Sequence, residues 1–236
     1  AALVVCRPSE VYPTTVIVAF ELPGVKAAVL NWIVITSCSP VLVPDDGVAV
    51  FDAFKTVRPD MIFFANRDAL RVAAGFRDLV IPVEWRAAEK SHAKGRDTLE
   101  ATARAFSARR MVVLFPSGRI AYWNEGRLTE RPWQSSVVAL ARRYDCPVVP
   151  VNIQARNSGL FYFLSRFSND LRDITVFHEL LNKTGRAYSI SVGKPIAADA
   201  LEGDAASVAA RLQAHTVEEL AADPQADFVA RSVAPQ

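Results

Sequence analysis

Seven short apolar runs, rich in β-branched and aromatic residues, constrain this chain most. They are VIVAF (16–20), WIVIT (32–36), MIFFA (61–65), LVIPVEW (79–85), MVVLF (111–115), VVPVNI (148–153) and YSISV (188–192). Most of them do not alternate between apolar and polar residues, so they read as strands covered on both faces. Helical patterns lie between several of them, at 47–57, 89–109 and 134–144. Such alternation predicts a single α/β domain with a mostly parallel central sheet flanked by helices. MVVLF and VVPVNI are both continuously apolar, which predicts neighbouring central strands. Residues 200–222, rich in Ala and Leu, read as a closing helix, and the tail beyond Asp223 as loose.

Residues 27–44 form an 18-residue stretch without a charge, near the lower limit for a membrane-spanning helix. Asn31, Thr36, Ser37, Ser39 and two prolines interrupt it, and its NWIVIT portion is β-branched. It therefore reads as a buried strand followed by a loop. Residues 159–181 carry Leu160, Phe161, Phe163, Leu164, Phe167 and Leu171 at helical spacing. Two readings stay open there: a helix packed on the sheet, or an aromatic surface that touches a bilayer or an acyl chain.

Cys6, Cys38 and Cys146 show no CxxC spacing, and His92, His178 and His215 form no ligand motif. A disulfide framework, a metal site and a bound cofactor are not expected, and a reducing, cytoplasmic setting is. No signal peptide is expected either, since no cationic start leads into an apolar core. The sequence holds no Walker loop and no GxGxxG after a strand, which disfavours nucleotide cofactors. The net charge of +2 gives no reason to expect nucleic acid. The charge is uneven, however: residues 86–119 carry eight Lys/Arg against three acids, which suits an anionic ligand or a lipid headgroup surface.

MVVLF runs directly into Pro116-Ser117-Gly118-Arg119. Ligands of parallel α/β sheets bind at the carboxyl ends of strands. Pro116 ends the strand because it cannot donate to the ladder. Gly118 permits a tight turn with a ligand close to the backbone. Arg119 offers a fork-shaped cation for phosphate or carboxylate. Asn66-Arg67 closes MIFFA in the same way, which makes Arg67 a further candidate for that anion site. Ser117 is not in a Gly-x-Ser-x-Gly elbow, and Cys38 has no histidine near it in sequence. His178 reads as a packed residue.

LFPSGR, followed about thirty residues later by PVVPVNI, resembles the glycerolipid acyltransferase (PlsC-like, lysophosphatidate-acyltransferase) superfamily. That family carries an FPEG-type turn for the acceptor and then an apolar strand with a VPV-like motif. DGVAVFDAFKTVRPDMIFFANRDALR upstream and LRDITVFHELLNK downstream look most like its bacterial haemolysin-like branch. The resemblance covers roughly residues 44–196. It implies a divergent, strand-rich N-terminal segment over 1–43, an acyltransferase-like α/β domain over 44–222 and a tail over 223–236.

The resemblance implies transfer of an acyl group from a thioester, on acyl-CoA or acyl carrier protein, to a lysophospholipid or other small polar acceptor. Peripheral contact with the inner face of a membrane goes with that activity. Phe115, Pro116, Ser117, Gly118 and Arg119 would bind substrate. The family's catalytic pair is a His with an Asp a few residues later, the His taking the acceptor's proton and the Asp orienting it. Here Asp46, with Asp45 beside it, supplies the acid, while Cys38-Ser39-Pro40 stands where Asn-His-Pro is expected. Ser39 thus occupies the position of the base, and no histidine occurs before His92. Three readings stay open: an inactive relative that binds lipid, another group as base, or a segment 1–43 foreign to the family. An unrelated α/β nucleotide-binding protein is the reading from another class, and the missing phosphate loop speaks against it.

Overall fold

The computed structural model describes residues 2–6, 16–20, 31–37, 43–67, 70, 74–84, 89–118, 122–124, 127–154, 159–165 and 188–230. The strands are β1 (Ala2–Cys6), β2 (Val16–Phe20), β3 (Trp32–Thr36), β4 (Ile62–Asn66), β5 (Val80–Val83), β6 (Met111–Leu114), β7 (Tyr122–Asn124), β8 (Arg127–Thr129), β9 (Val148–Gln154) and β10 (Tyr188–Val192). The helices are α1 (Val43–Phe54), α2 (His92–Ser107), α3 (Ser136–Tyr144), α4 (Gly159–Ser165), α5 (Ala205–Ala214) and α6 (Leu220–Ala222).

Eight strands form one sheet in the order β1-β2-β10-β9-β3-β6-β4-β5. The run β9-β3-β6-β4-β5 is parallel throughout, and β10 pairs parallel with β2. Two pairings are antiparallel, β1 with β2 and β10 with β9. The α/β architecture with a mostly parallel sheet is as the sequence implies. The order differs in one respect. β6 and β9 are both central, but β3 lies between them, with Trp32 opposite Met111 on one side and Ile33 opposite Val148 on the other. All five residues of β3 are buried. Continuous apolarity marks a strand as covered on both faces; it does not say which covered strand sits next to which.

Side chains alternate across these strands and build two cores. Trp32, Val34, Met111, Val113 and Val151 face α1, which contributes Ala49, Val50, Ala53 and Phe54. Ile33, Ile35, Val112, Leu114 and Val148 face α2, α3 and α5, which contribute Phe106, Val138 and Leu212 among others. Pro44 is tolerated in the first turn of α1, where its missing N–H would find no helical partner anyway. Ser91 starts α2 by accepting from Lys94 N at 3.2 Å.

The closing helix expected over 200–222 is interrupted. Gly203 takes a positive φ of 107°, which glycine alone adopts easily. Asp204 then caps α5 by accepting from Ser207 N at 2.8 Å. A wider π turn, His215–Glu219, separates α5 from α6. The sequence implies a loose tail over 223–236; within it residues 223–230 fold back, and 231–236 lie outside the described residues. Phe228 packs on the second core, and Asp227 pairs with Lys194 at 2.7 Å. One aromatic side chain is enough to anchor a short polar segment. Among the described residues no helix is long and apolar enough to cross a membrane.

Candidate active site at the carboxyl edge

Because β9, β3, β6 and β4 run parallel, their carboxyl ends share one edge. At that edge β6 passes into the turn Phe115-Pro116-Ser117-Gly118. Gly118 sits at φ 61°, the left-handed region, and its N–H closes the turn on Phe115 O at 2.9 Å. Gln134 N donates to Pro116 O at 3.0 Å and braces the turn from behind. Phe115 and Ser117 are both buried. The sequence reading of a tight, glycine-dependent turn at a strand end therefore has its backbone geometry.

α1 begins after the same edge, a few residues beyond the end of β3, and runs back across the sheet. Its far end reaches the amino ends of the strands, where the Arg58 guanidinium lies 5.6 Å from the Trp32 ring. Asp45 and Asp46 thus stand in the first turn of α1. Ser39 and Arg119 lie outside the described residues.

Arg67 closes β4 at this edge, its N–H donating to Val83 O at 3.0 Å. Its guanidinium borders a cavity of about 470 Å³ whose apolar wall includes Ile62 and Ala105. Those two residues belong to the core on the α2 face, so the cavity lies across the sheet from α1. Other arginines use the edge formed by Nε and Nη2 fully. Arg58 grips Asp60 with it at 2.8 and 2.7 Å. Arg110 grips the carbonyls of Asp60, Met61 and Asp78 at 2.8 to 3.0 Å. In Arg67 both atoms are enclosed and neither has a hydrogen-bond acceptor; Asp97 Oδ2 stands 3.5 Å from Nη2. An open fork of this kind matches an oxyanion.

Four buried polar residues near the same edge carry no local pattern in the sequence that marks them as a group. Thr36, fully buried, presents an Oγ1 without a hydrogen-bond partner, and Asn152 an equally orphaned Oδ1. Ser37 and His215 are buried as well. His215 pairs through Nδ1 with Glu219 Oε2 at 2.7 Å, and Arg211 reaches Glu219 at 2.9 Å. Burial pushes the Glu219 carboxyl up, but the hydrogen bonds from His215 and Arg211 outweigh it and hold it below its ordinary range. His215 is 1% exposed, with Phe228 edge-on to its ring at 5.4 Å. So enclosed an imidazole organises structure rather than meeting a substrate. Only their separation in sequence hid this group: Ser37, Asn152 and Thr216 belong to three distant segments. Burial, and secondarily the Asp145 charge, raises the Cys146 thiol to about 12, which removes it as a nucleophile. Among the described residues no cluster could hold a metal ion.

The Acyltransferase family matches residues 45–154, from the first turn of α1 to the end of β9. A lyso-glycine lipid O-acyltransferase of Phocaeicola vulgatus is 25% identical over 158 residues, 64% of this chain and 54% of that protein. These likenesses support a place in the glycerolipid acyltransferase superfamily. It spans about half the length of that curated relative. The acyltransferase PlsC of Thermotoga maritima, solved as a 1-acyl-sn-glycerophosphate acyltransferase, superposes with a TM-score of 0.53 over 89% of this chain and 73% of its own. At 16% identity that likeness speaks to the shared acyltransferase fold.

Proposed function

We propose that this acyltransferase moves an acyl group from a thioester donor, acyl-CoA or acyl carrier protein, to a polar-headed lipid acceptor such as a lysophospholipid or an amino-acid lipid. One observation carries the reading: the Phe115–Gly118 turn, with Gly118 at φ 61°, lies at the strand edge where α1 and its Asp45-Asp46 pair begin. The open fork of Arg67 suits an anionic headgroup, and the acceptor class agrees with the name of the glycine-lipid relative. In the reaction the acceptor's hydroxyl or amine loses its proton to a base, attacks the thioester carbonyl and expels the thiol. The base position is Ser39, with Asp46 to orient whatever stands there. A serine is a poor base at neutral pH, which favours a second reading, a non-catalytic acyl- or lipid-binding protein on the same fold.

α4 supports peripheral contact with a membrane. Phe161 is buried, while Leu160 and Phe163 are 50% and 56% exposed just beyond the carboxyl end of β9. A cytoplasmic protein resting on the inner face of a membrane fits that disposition.

A thioester-release assay tests the reading. General-base catalysis supplies about 10²–10⁴ in rate, so the chain as given turns over slowly. Ser39→His raises the rate, and adding Asp46→Asn removes the gain, because such a pair acts as a unit. No gain from Ser39→His, with acyl ligands still bound, selects the non-catalytic reading.

A further inference from the structure

The cavity beside Arg67 runs the length of the sheet where α2 covers it. Ile62, at the start of β4, and Arg67, just past its end, both line it. That stretch of strand spans about 16 Å. Asp97, in the second turn of α2, and Ala108, its cap, line it from the helix, and that stretch of helix also spans about 16 Å. Asp97 Oδ2 stands 3.5 Å from Arg67 Nη2, so strand and helix bound one slot from end to end. A volume of about 470 Å³ over that length makes the slot narrow. Ala101, Ala105 and Ala108 line one stripe of the helix, at i, i+4 and i+7, and leave the slot open. Thr98 holds the helix at its distance by donating through Oγ1 to the Pro82 carbonyl at 2.6 Å. Four arginines and two aspartates line the cavity, a positive balance. Arg110, at the amino end, is engaged by three carbonyls. Arg67, at the carboxyl edge, keeps Nε and Nη2 enclosed and without a hydrogen-bond acceptor.

We infer that this slot holds the acyl chain that the acceptor lipid already carries, with the lipid's anionic headgroup on the Arg67 fork. That the lipid is the acceptor rests on the acyl-transfer reading proposed above. Charge placement separates it from the donor. In a lysophospholipid or an amino-acid lipid the phosphate or carboxylate lies a few bonds from the chain, so one molecule reaches both fork and slot. In an acyl thioester the head of the chain is a carbonyl, which offers the fork a single uncharged oxygen. α1 covers the opposite face of the sheet, so a lipid in the slot comes to the carboxyl edge from the α2 side. The far end of the slot is bounded by Arg110 and Asp78, joined at 2.8 Å, which limits the length of chain it takes.

Titration calorimetry with lysophosphatidates of increasing chain length, kept below micelle-forming concentration, tests this without turnover. Affinity rises about fourfold per methylene and levels off once the chain fills the slot. Ala101 is half-buried, in a helix that accepts leucine readily. Ala101→Leu brings the plateau to a shorter chain. Long chains then bind about tenfold more weakly, and glycerol phosphate, which has no chain, binds as before. Ala108→Leu, at an exposed cap, is the second variant and weakens only the longest chains. No dependence on chain length, or equal affinities in all three proteins, overturns the inference. So does tighter binding of a free fatty acid than of the lysolipid with the same chain. A lysolipid with a photoreactive diazirine at the end of its chain reports the place directly: it labels residues 101–108, and labelling of α1 instead overturns the assignment. If Ser39→His shows no thioester turnover while chain-dependent binding persists, the acyl-transfer reading fails alone and the slot stands as a lipid site. If turnover appears and Ala101→Leu leaves its preference among acceptor chain lengths unchanged, the slot assignment fails alone.

Discussion

Arg67 has two enclosed guanidinium nitrogens without a hydrogen-bond acceptor and a loose ion pair with Asp97 at 3.5 Å, so it stands to gain from an anionic ligand. A charge-assisted bidentate contact contributes about 1.5–3 kcal/mol, roughly tenfold to over a hundredfold in affinity. Arg67→Ala should weaken binding of a phosphate-bearing lysolipid by that factor in titration calorimetry. Arg67→Lys should recover part of it, since an ammonium has no fork. Equal affinity in all three proteins would take Arg67 out of the site. The sequence exposed Arg67 because it closes an apolar run, but its side chain borders the α2-face cavity while α1 occupies the opposite face. Strand-end position gives the edge of a sheet; the face depends on where the side chain turns after the strand has ended. Ser37, Asn152 and His215 were invisible for another reason. Common polar residues become a network only when the fold brings them within 3.5 Å, and no local pattern marks them.

At the scale of elements, the seven apolar runs became strands, and β3, β6 and β9 among them are buried almost throughout, which leaves little alternative to a covered strand. The order of strands was not legible, since β3, β6 and β9 share the same composition and differ only in their neighbours. The breaks in the closing helix were local and small: a glycine at positive φ and an aspartate cap. Gly193 shows how closely α6 is docked after those breaks. A Cβ built there would come within 2.9 Å of both Leu220 methyls and of Pro150 Cγ. Leu220 is fully buried, so it cannot swing away into solvent. Gly193→Ala should therefore destabilise the fold by about 1–3 kcal/mol, the usual cost of overpacking. Chemical denaturation measures it, and a midpoint equal to that of the unchanged protein would mean that α6 shifts freely. Gly203→Ala should also cost stability, through φ rather than space, because only Val208 approaches, at 4.0 Å.

The whole molecule is polarised along its strands. The carboxyl edge carries the glycine turn, the open Arg67 fork and the Asn152 network, whereas the amino edge is closed by a buried arginine. Arg58, 4% exposed, grips Asp60, donates to Arg109 O at 3.0 Å and stacks over Trp32. Asp60 also accepts from Met111 N at 3.2 Å, so one ion pair joins the starts of β3, β4 and β6. The hydrogen bond from Arg58, helped by its charge and opposed by burial, holds the Asp60 carboxyl below its ordinary value of 3.8. Glu219 at the other edge is likewise held below 4.5. The sign follows from linkage. A carboxyl with a lowered folded-state pKa releases its proton more readily when folded, so at low pH the unfolded chain binds more protons. The stabilisation is present above the unfolded values, near pH 4 to 4.5, and is lost as pH falls through the lower folded values. Melting temperatures taken from pH 7 down to pH 3 should accordingly hold steady to about pH 5 and then fall. Asp60→Asn should melt lower at pH 7, because the arginine keeps its burial and loses its partner's charge, and its melting temperature should fall less steeply in acid. Parallel curves for the two proteins would show that the amino-edge ion pair contributes nothing to the acid response.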